Sequence, residues 1–383
     1  MNRDELFTYH DGLFRNPVEV AAAPVTDKKA LRKSLHFKAD NGFVRTLFKL
    51  GITLIISREY EHLLIALHSD GKKITQTFFP LPHPSGIAVK HNKVYVASTR
   101  NPNKIVEFIP SSGEMNRLED KNPIAEKNIL TPARIKIYAG AYYFHDLAFI
   151  GDELYANSVG QNALIKPDFG KAGSDDIIWQ PDIETGKDLK AANYLQLNSI
   201  AAGRNVEESC FSASVAIPQR LRPGNPRFDV DGKGVIFNGK SKIVATGLTR
   251  PHSARFADNK LWVCNSGYGG LGFIDDGKYV DFKTFAGWTR GLHFRENIAF
   301  TGISRILKRF ENYAPGLNPR KAISAIVATD INTGKETGRI EFPSGNQIFA
   351  IESIPGNITN GFIFNNIQTD NRRIKSFFYK YKT

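Results

Sequence analysis

The sequence predicts an all-β fold, a single six-bladed β-propeller, with seven blades as the alternative. One unit keeps returning along the chain: a polar residue, a short apolar strand, a turn and a second apolar strand. Its copies begin at Ser85, His145, Asn198, His252, Arg290 and Gln347, so successive copies lie 38 to 60 residues apart. A four-stranded propeller blade takes about 40 to 50 residues, and longer loops account for the wider intervals.

Each well-preserved copy is typical of a β-hairpin. In one, His145-Asp-Leu-Ala-Phe precedes Asp152-Glu-Leu-Tyr-Ala-Asn-Ser158, and in another His252-Ser-Ala-Arg-Phe precedes Asn259-Lys-Leu-Trp-Val-Cys-Asn-Ser266. The turns between the strands contain Asn, Asp or Gly, which tolerate the backbone angles of tight hairpins. Further apolar runs between the hairpins supply the third and fourth strand of each blade.

The two ends of the chain are expected to share a blade within one domain of residues 1–383. Leu54 to Pro80 offers three strands without an inner one, and Gln347 to Ile354 offers an inner strand. Such closure removes exposed sheet edges. Residues 1–43 are expected to form an irregular extension, with blades from about residue 44 to 383. A seventh blade would use Gly361 to Asn366 and Ile374 to Tyr381.

Composition narrows the class of partner and the compartment. Apolar residues make up 41% of the chain, enough for a large core, and the net charge of +13 favours an anionic ligand. Basic residues cluster near both ends without interleaved aromatic residues, so nucleic acid is not the expected partner. The longest aliphatic run, Leu50 to Ile56, is too short to cross a bilayer. With only two cysteines and no apolar leader, a cytoplasmic protein is expected.

Six segments resemble an uncharacterised bacterial family of propeller-like proteins, the domain-of-unknown-function 4915 family, also catalogued as a conserved hypothetical protein family. They span most of the chain: His83-Pro-Ser-Gly-Ile-Ala-Val89, His145-Asp-Leu-Ala-Phe149, Leu197-Asn-Ser-Ile-Ala201, Gly247-Leu-Thr-Arg-Pro-His-Ser-Ala-Arg255, Leu261-Trp-Val-Cys-Asn-Ser-Gly267 and Thr289-Arg-Gly-Leu-His293. The chain departs from the expected pattern at Gln196, where the family is expected to carry a His. The resemblance implies a propeller and no established activity.

The first residues of the inner strands form the candidate site, because equivalent positions in a propeller converge on one end of the central channel. These residues are all polar and are listed in blade order as Ser85, His145, Asn198, His252, Arg290 and Gln347. The two histidines with amide oxygens suit a divalent metal, to which Asp146 or Glu352 would add a carboxylate. Alternatively, Arg290 would clamp a carboxylate or phosphate. In the structural alternative, these residues only bond neighbouring backbone.

These six residues, which we call the ring residues, suggest two functions. The first is an enzyme acting on a polar or anionic small molecule or saccharide, with His145 and His252 as metal ligands or general acid and base, and Ser85, Asn198, Arg290 and Gln347 binding the ligand. The second is a non-catalytic scaffold that presents a face to a protein partner. No nucleophile elbow, zinc-protease motif, phosphate loop or calcium loop is present in the sequence.

Overall fold

The computed structural model describes residues 28–100, 103–111, 128–138, 140–171, 175–184, 193–225, 227–362 and 364–365. Within these ranges the chain forms six antiparallel sheets and two α-helices. The inner strand of each sheet contacts the inner strands of the two neighbouring sheets, which closes a ring. The prediction of a six-bladed propeller is therefore confirmed, and the seven-blade alternative is wrong.

The first described elements are α1 (Lys28–Leu35), β1 (Lys38–Ala39) and α2 (Asn41–Leu50). Three strands of the blade that closes the ring follow: β2 (Ile52–Arg58), β3 (Leu63–Ser69) and β4 (Ile74–Pro80). The second and third blades comprise β5 (Pro84–Lys90), β6 (Lys93–Ser98), β7 (Asn103–Ser111), β8 (Ile129–Tyr138), β9 (Phe144–Ile150), β10 (Glu153–Ser158), β11 (Ala163–Ile165) and β12 (Ile177–Trp179). The fourth and fifth comprise β13 (Leu197–Ala201), β14 (Cys210–Ala213), β15 (Gly234–Asn238), β16 (Ile243–Leu248), β17 (Pro251–Ala257), β18 (Lys260–Asn265), β19 (Gly270–Asp275) and β20 (Lys278–Thr284). The sixth blade and the end of the described chain comprise β21 (Trp288–Arg295), β22 (Ile298–Ser304), β23 (Ala325–Asp330), β24 (Glu336–Glu341), β25 (Ala350–Pro355) and β26 (Phe364–Asn365).

The closing blade combines strands from distant parts of the chain. Its order is β25-β2-β3-β4-β26, so the innermost strand comes from residues 350–355 and pairs with β2 over six residues, from Ile52 opposite Pro355 to Ser57 opposite Ala350. The strand at 364–365, considered above for a seventh blade, instead lies outside β4. The other segment considered for that blade, Ile374 to Tyr381, lies outside the described residues.

Each interface between neighbouring blades has its own apolar core. Strands of adjacent blades contribute alternate side chains to six such clusters, as for Leu54, Phe300 and Ile351 between the sixth and closing blades. Burial on both faces explains why the inner and second strands are nearly continuous apolar runs. The ring thus depends on blade-to-blade packing and leaves the axis available for polar groups.

Inner strands of neighbouring blades are also joined by side-chain hydrogen bonds to backbone. Asp146 accepts from the backbone N–H of Ile200 at 2.9 Å, and Ser199 accepts from that of Ala254 at 2.8 Å. Ser253 repeats the contact with Gly291 at 2.9 Å. Each acceptor directly follows a residue of the predicted ring, at the bulge where the inner strand loses register with its partner. These bonds fix the positions of successive ring residues relative to one another.

The segment before the first blade differs from the irregular structure expected for residues 1–43. Its described part, from residue 28, contains α1, β1 and the start of α2, while residues 1–27 lie outside the described residues. Asp40 caps α2 by accepting from Phe43 N at 2.7 Å, and Gly51 ends the helix with φ of 61°. Among the helices that the structure describes, none is long and apolar enough to cross a membrane.

Candidate functional site

A cavity of about 220 Å³ opens at the propeller axis, where the inner strands begin. All six blades contribute to its wall, and we call it the axial cavity. Its charged and imidazole-bearing lining residues are Glu59, Arg100, His145, Arg250, His252, Arg290 and Arg305. Its size suits a ligand smaller than most drug molecules, whose pockets measure about 300 to 1,000 Å³.

The structure brings four of the six predicted site residues to this cavity: His145, His252, Arg290 and Gln347. Asn198 lies behind the wall, with its Oδ1 3.3 Å from His145 Nδ1. Ser85 is buried outside the lining, and its hydroxyl has no hydrogen-bond partner among the described residues.

Gln347 lines the cavity from a position other than the predicted one. The inner strand of the closing blade, β25, begins only at Ala350. A Cβ at Gly291 would meet Ala350 and Ile351, just as a Cβ at Gly86 would meet Asp146 and Leu147, so Ile351 is the equivalent of Leu147. In the other blades the equivalent apolar residue follows the ring residue by two positions, as Leu147 follows His145. The ring residue of the closing blade is therefore Phe349. It is aromatic, whereas all six ring residues were predicted to be polar.

The surrounding groups fix the tautomer of His252, whereas His145 Nδ1 lies near both an acceptor, Asn198 Oδ1, and a donor, Arg290 Nη2. The Asn198 amide donates to the carbonyl oxygen of Pro251 at 3.0 Å, which turns its own oxygen toward His145 Nδ1. His252 Nδ1 lies 2.8 Å from the carbonyl oxygen of Arg250, which can only accept. Nε2 of the neutral His252 imidazole is therefore its proton-accepting atom, and it has no hydrogen-bond partner among the described residues.

The same two imidazoles are strongly biased toward the neutral state. Burial lowers the pKa of His145 and of His252 well below the ordinary 6.5, and the nearby charge of Arg290 lowers both further. Neutral imidazoles in a cavity wall can accept a proton or a hydrogen bond from a ligand near neutral pH.

Arg290 lies in the cavity wall without a carboxylate partner within ion-pair distance among the described residues. Its Nη2 is 3.4 Å from His145 Nδ1, and its Cζ lies 3.3 Å from the centroid of the Phe349 ring. Burial lowers the pKa of Arg290 to about 10, so the guanidinium remains protonated at neutral pH. Desolvating a cation without a counter-ion is costly, and a bound anion would offset that cost.

Arg250 repeats this arrangement on the preceding blade. It donates to the side-chain oxygen of Gln196 and to the carbonyl oxygen of Pro223, and its Cζ lies 4.0 Å from the centroid of the Tyr313 ring. Its Nε is buried and has no hydrogen-bond partner among the described residues. Burial lowers its pKa to about 10. All of its contacts are to neutral groups, so its positive charge is uncompensated as well.

The single carboxylate in the described cavity wall, Glu59, is already paired. Its Oε1 lies 3.0 Å from Arg100 Nε and 3.6 Å from His83 Nδ1. Burial raises the pKa of Glu59, but the nearby His83 imidazole and the charges of Arg100 and Arg290 outweigh that effect, and the pKa lies below the usual 4.5. Four guanidiniums thus face one carboxylate, so the axial cavity carries a positive potential.

Aromatic side chains form a large part of the cavity wall. Tyr60 lies beside Phe310 at a ring separation of 6.4 Å, and Phe310 stacks on Tyr313 at 5.6 Å. Trp288 packs edge-on against His252 at 5.6 Å. Phe310 and Tyr313 belong to the long connection between β22 and β23, which is anchored by the bond from Tyr313 to the Gly224 carbonyl oxygen at 2.7 Å. A ligand would therefore meet guanidiniums and imidazoles together with flat apolar surfaces.

The residues around the histidines fit an anion better than the divalent metal considered above. No group of three or more His, Cys, Asp or Glu side chains suited to a metal occurs in the part of the chain that the structure describes. Asp146 is bound by both Nη atoms of Arg255, at 2.7 and 3.0 Å, and Glu352 contacts His293 at 3.0 Å. The Arg290 charge that disfavours protonation of the imidazoles also disfavours a cation between them.

Arg250 escaped the sequence analysis, and Gln196 was noted there as a departure from the family pattern and not as a site residue. Both lie two positions before a ring residue and have positive φ, 54° and 51°. His83 and Tyr143 hold the equivalent positions in two other blades, with φ of 45° and 50°. Left-handed backbone at a non-glycine residue is uncommon and often marks functional regions. Aligning the residues two positions before each ring residue could have identified them, but the sequence analysis did not consider these positions.

One solved structure supports the fold, and two others resemble the chain more distantly. The chain resembles a structure from a nidogen/laminin complex with a TM-score of 0.50 and 8% identity, over 80% of this chain and 99% of that one. A functionally unknown protein from Desulfotomaculum acetoxidans gives a TM-score of 0.41 and 13% identity, over 79% and 98% of the two chains. The dihydro-haem d1 dehydrogenase NirN gives a TM-score of 0.38 and 12% identity, over 88% and 84%.

Sequence comparison is decisive for the family. No protein of curated function matches the chain in sequence. The model of a domain of unknown function, DUF4915, matches residues 41–362, which includes every strand from β2 to β25 and every charged group of the axial cavity. The six-bladed ring and its basic axial cavity are thus features of a chain that belongs to the DUF4915 family.

Proposed function

We propose that the protein is an enzyme that acts on a small hydroxylated organic anion, such as a sugar acid or a sugar phosphate, bound in the axial cavity. One observation carries the proposal: Arg250 and Arg290 are buried in the same cavity wall, and neither has a carboxylate within ion-pair distance among the described residues. Guanidiniums bind carboxylate and phosphate through paired hydrogen bonds, and burial strengthens those bonds.

The imidazoles of the cavity wall predict that the ligand carries hydroxyl groups. Nε2 of His252 accepts hydrogen bonds, so the ligand must present a donor to it. A bare inorganic anion offers few donors, whereas a hydroxy acid or sugar phosphate carries donors beside its charge. Either imidazole would then serve as the general base that removes a proton from the bound hydroxyl or from water.

The aromatic groups near the cavity mouth support a ligand with a carbon skeleton. Trp288 and Phe310 offer flat surfaces that exclude water from the bound ligand, which strengthens the charged contacts. The alternative function, a scaffold for a protein partner, does not require Arg250 and Arg290, two buried cations that line the axial cavity. The cavity therefore favours a small-molecule ligand over a scaffold role.

Calorimetric titration of the full chain with gluconate, glycerate and glucose 6-phosphate tests the proposal, with uncharged glucose and glycerol as controls. We expect at least one anion to bind and the neutral compounds not to bind. Arg290→Gln should weaken that binding about 10- to 100-fold, the range for losing one charged hydrogen-bonding group.

Arg295→Gln provides the matched control, because Arg295 lies on the same strand as Arg290 and is exposed outside the cavity. Its affinity should equal that of the wild type. If no anion in the set binds, or if the two variants weaken binding equally, the assignment of the axial cavity is wrong.

A further inference from the structure

A second polar cluster lies on the same inner strands, outside the axial cavity. His293 follows Arg290 by three residues on β21, and Glu352 and Ser353 follow Phe349 on β25. Three residues of strand span about 10 Å. The cluster is thus displaced along the strands toward the other end of the propeller, and none of its three residues lines the axial cavity.

The three side chains form a linear hydrogen-bonded chain. His293 Nδ1 lies 3.0 Å from Glu352 Oε2, and His293 Nε2 lies 2.8 Å from Ser353 Oγ. Because the carboxylate can only accept, Nδ1 carries the proton, and Nε2 is left to accept from the serine hydroxyl. The carboxylate thereby fixes the tautomer in which the imidazole can take the proton of Ser353.

We propose that Ser353 is an activated nucleophile, with His293 as its general base and Glu352 as the residue that positions the imidazole. Order and distances match those of serine, histidine and carboxylate triads, which recur on unrelated folds and are recognised by geometry and not by sequence position. No strand-to-helix elbow is needed here, because two adjacent inner strands supply the three groups.

The substrate class follows from the chemistry and from access. The His293 side chain is 14% exposed and that of Glu352 is 20% exposed, and Ser353 is partly exposed, so the cluster is reachable by a small group. Oxygen nucleophiles of this kind attack acyl carbons. We therefore assign to the site carboxylic esters with a small acyl group.

The reaction balances with water as the only co-reactant. Ser353 Oγ forms a bond to the ester carbonyl carbon while its proton passes to His293 Nε2. The bond from that carbon to the alkoxy oxygen then breaks, and the leaving alcohol takes the proton from the imidazole. Water, deprotonated by His293, attacks the acyl-serine, and the acid is released as Ser353 Oγ recovers the proton.

Arg255 lies on the neighbouring inner strand. Burial lowers the pKa of Arg255, but the carboxylates outweigh that effect: Asp146, which holds the guanidinium directly, raises the pKa most, and Glu352 adds a smaller contribution. The Glu352 carboxylate is therefore left to bond His293. This arrangement separates the serine cluster from the arginines of the axial cavity.

Labelling of the full chain with a fluorophosphonate probe, followed by peptide mapping in a mass spectrometer, tests the inference directly. We expect a covalent adduct on Ser353 in the folded wild type. Thr53 is an internal comparator: it lies 3.2 Å from His68 Nδ1, but its hydroxyl donates to the Thr359 carbonyl oxygen at 2.6 Å and should stay unlabelled. An unlabelled Ser353 in the folded protein overturns the inference without any variant.

Variants then separate activation from mere exposure. His293→Gln should lower the labelling rate at least 100-fold, in line with the loss of a general base. Glu352→Gln should lower it about 10-fold because the imidazole loses its charged partner, and Glu352→Asp, which keeps the charge, should restore part of that loss. Equal rates in all four proteins would show that Ser353 is not activated. Arg295→Gln, which changes an exposed residue outside both sites, should label like the wild type. Labelling is measured without any anion, so failure of the axial-site proposal and failure of this one are distinguishable.

Discussion

Arg290 stacks its guanidinium on the ring of Phe349, with Cζ 3.3 Å from the ring centroid. The two residues hold equivalent ring positions on adjacent inner strands, so the contact orients the cation at the axis. An aromatic face attracts a cation without neutralising it. The ring thus positions the charge of Arg290 and leaves it available to an incoming anion.

Replacing Phe349 should therefore weaken anion binding. Phe349→Leu keeps an apolar side chain but removes the aromatic face, and we expect the affinity for the anion that binds the wild type to fall about 2- to 30-fold, which corresponds to 0.5 to 2 kcal/mol. Phe349→Tyr keeps the face and should bind nearly as well as the wild type. Calorimetric titration measures both, and an unchanged affinity in the leucine variant contradicts the role assigned to the ring.

Acid should destabilise the protein through its two cavity histidines. Since the pKa of His145 and of His252 is lower in the folded chain than the ordinary 6.5, the unfolded chain binds more protons in the interval between these values. The stabilising contribution is complete above pH 6.5 and is lost as the pH falls below it.

The double variant His145→Asn/His252→Asn tests this origin, because an asparagine amide can replace the Nδ1–H donor and does not titrate. Urea unfolding at a series of pH values should show a smaller loss of stability below pH 6.5 in the variant than in the wild type. An identical pH dependence in the two proteins would assign the acid sensitivity to other groups.

Metal content distinguishes the two interpretations of the axial ring. Because the positive charge of Arg290 beside both imidazoles repels a cation, we expect protein purified without chelator or affinity tag to hold less than stoichiometric metal. Removal of metal with a chelator should leave anion binding unchanged. A stoichiometric metal that is lost in the variant His145→Ala/His252→Ala would overturn the anion assignment and restore the metal hypothesis.

Close packing of neighbouring inner strands predicts a strong effect at Gly86. A Cβ at this position would lie 2.5 Å from the Cα of Asp146 and from the backbone nitrogen of Leu147. Gly86→Ala should therefore lower the free energy of unfolding by about 1 to 3 kcal/mol, the usual cost of overpacking. Gly224→Ala is the control, because nothing lies within 4 Å of its added Cβ. Urea unfolding compares the two, and equal stability would contradict the contact.

The fold was predictable because each blade repeats the same local pattern. The strands of a hairpin such as His145 to Ser158 can be recognised from their apolar pattern and from the turn residues between them. The spacing of these hairpins along the chain predicts the number of blades. The helix α2 was missed because it precedes the repeats and carries only one amphipathic face, whose burial against the sixth and closing blades cannot be read from a local pattern.

The site was only partly predictable because a repeat defines positions and not contacts. Alignment found His145, His252 and Arg290, since they occupy the repeated column. It assigned the ring position of the closing blade to Gln347 instead of Phe349. The inner strand β25 pairs with the distant β2, so no local hairpin sets its alignment with the other copies. Arg250 could be recognised only after its left-handed backbone and its approach to the axis were visible.

The pairing of β25 with β2 also orders the events of synthesis. The strand that completes the ring carries Glu352 and Ser353 and directly follows Phe349, so it leaves the ribosome after all five other blades. A nascent chain interrupted before residue 349 would present β2 as an unpaired edge and would have neither the aromatic partner of Arg290 nor the serine cluster. Both proposed activities would therefore arise together, at the moment when the ring closes.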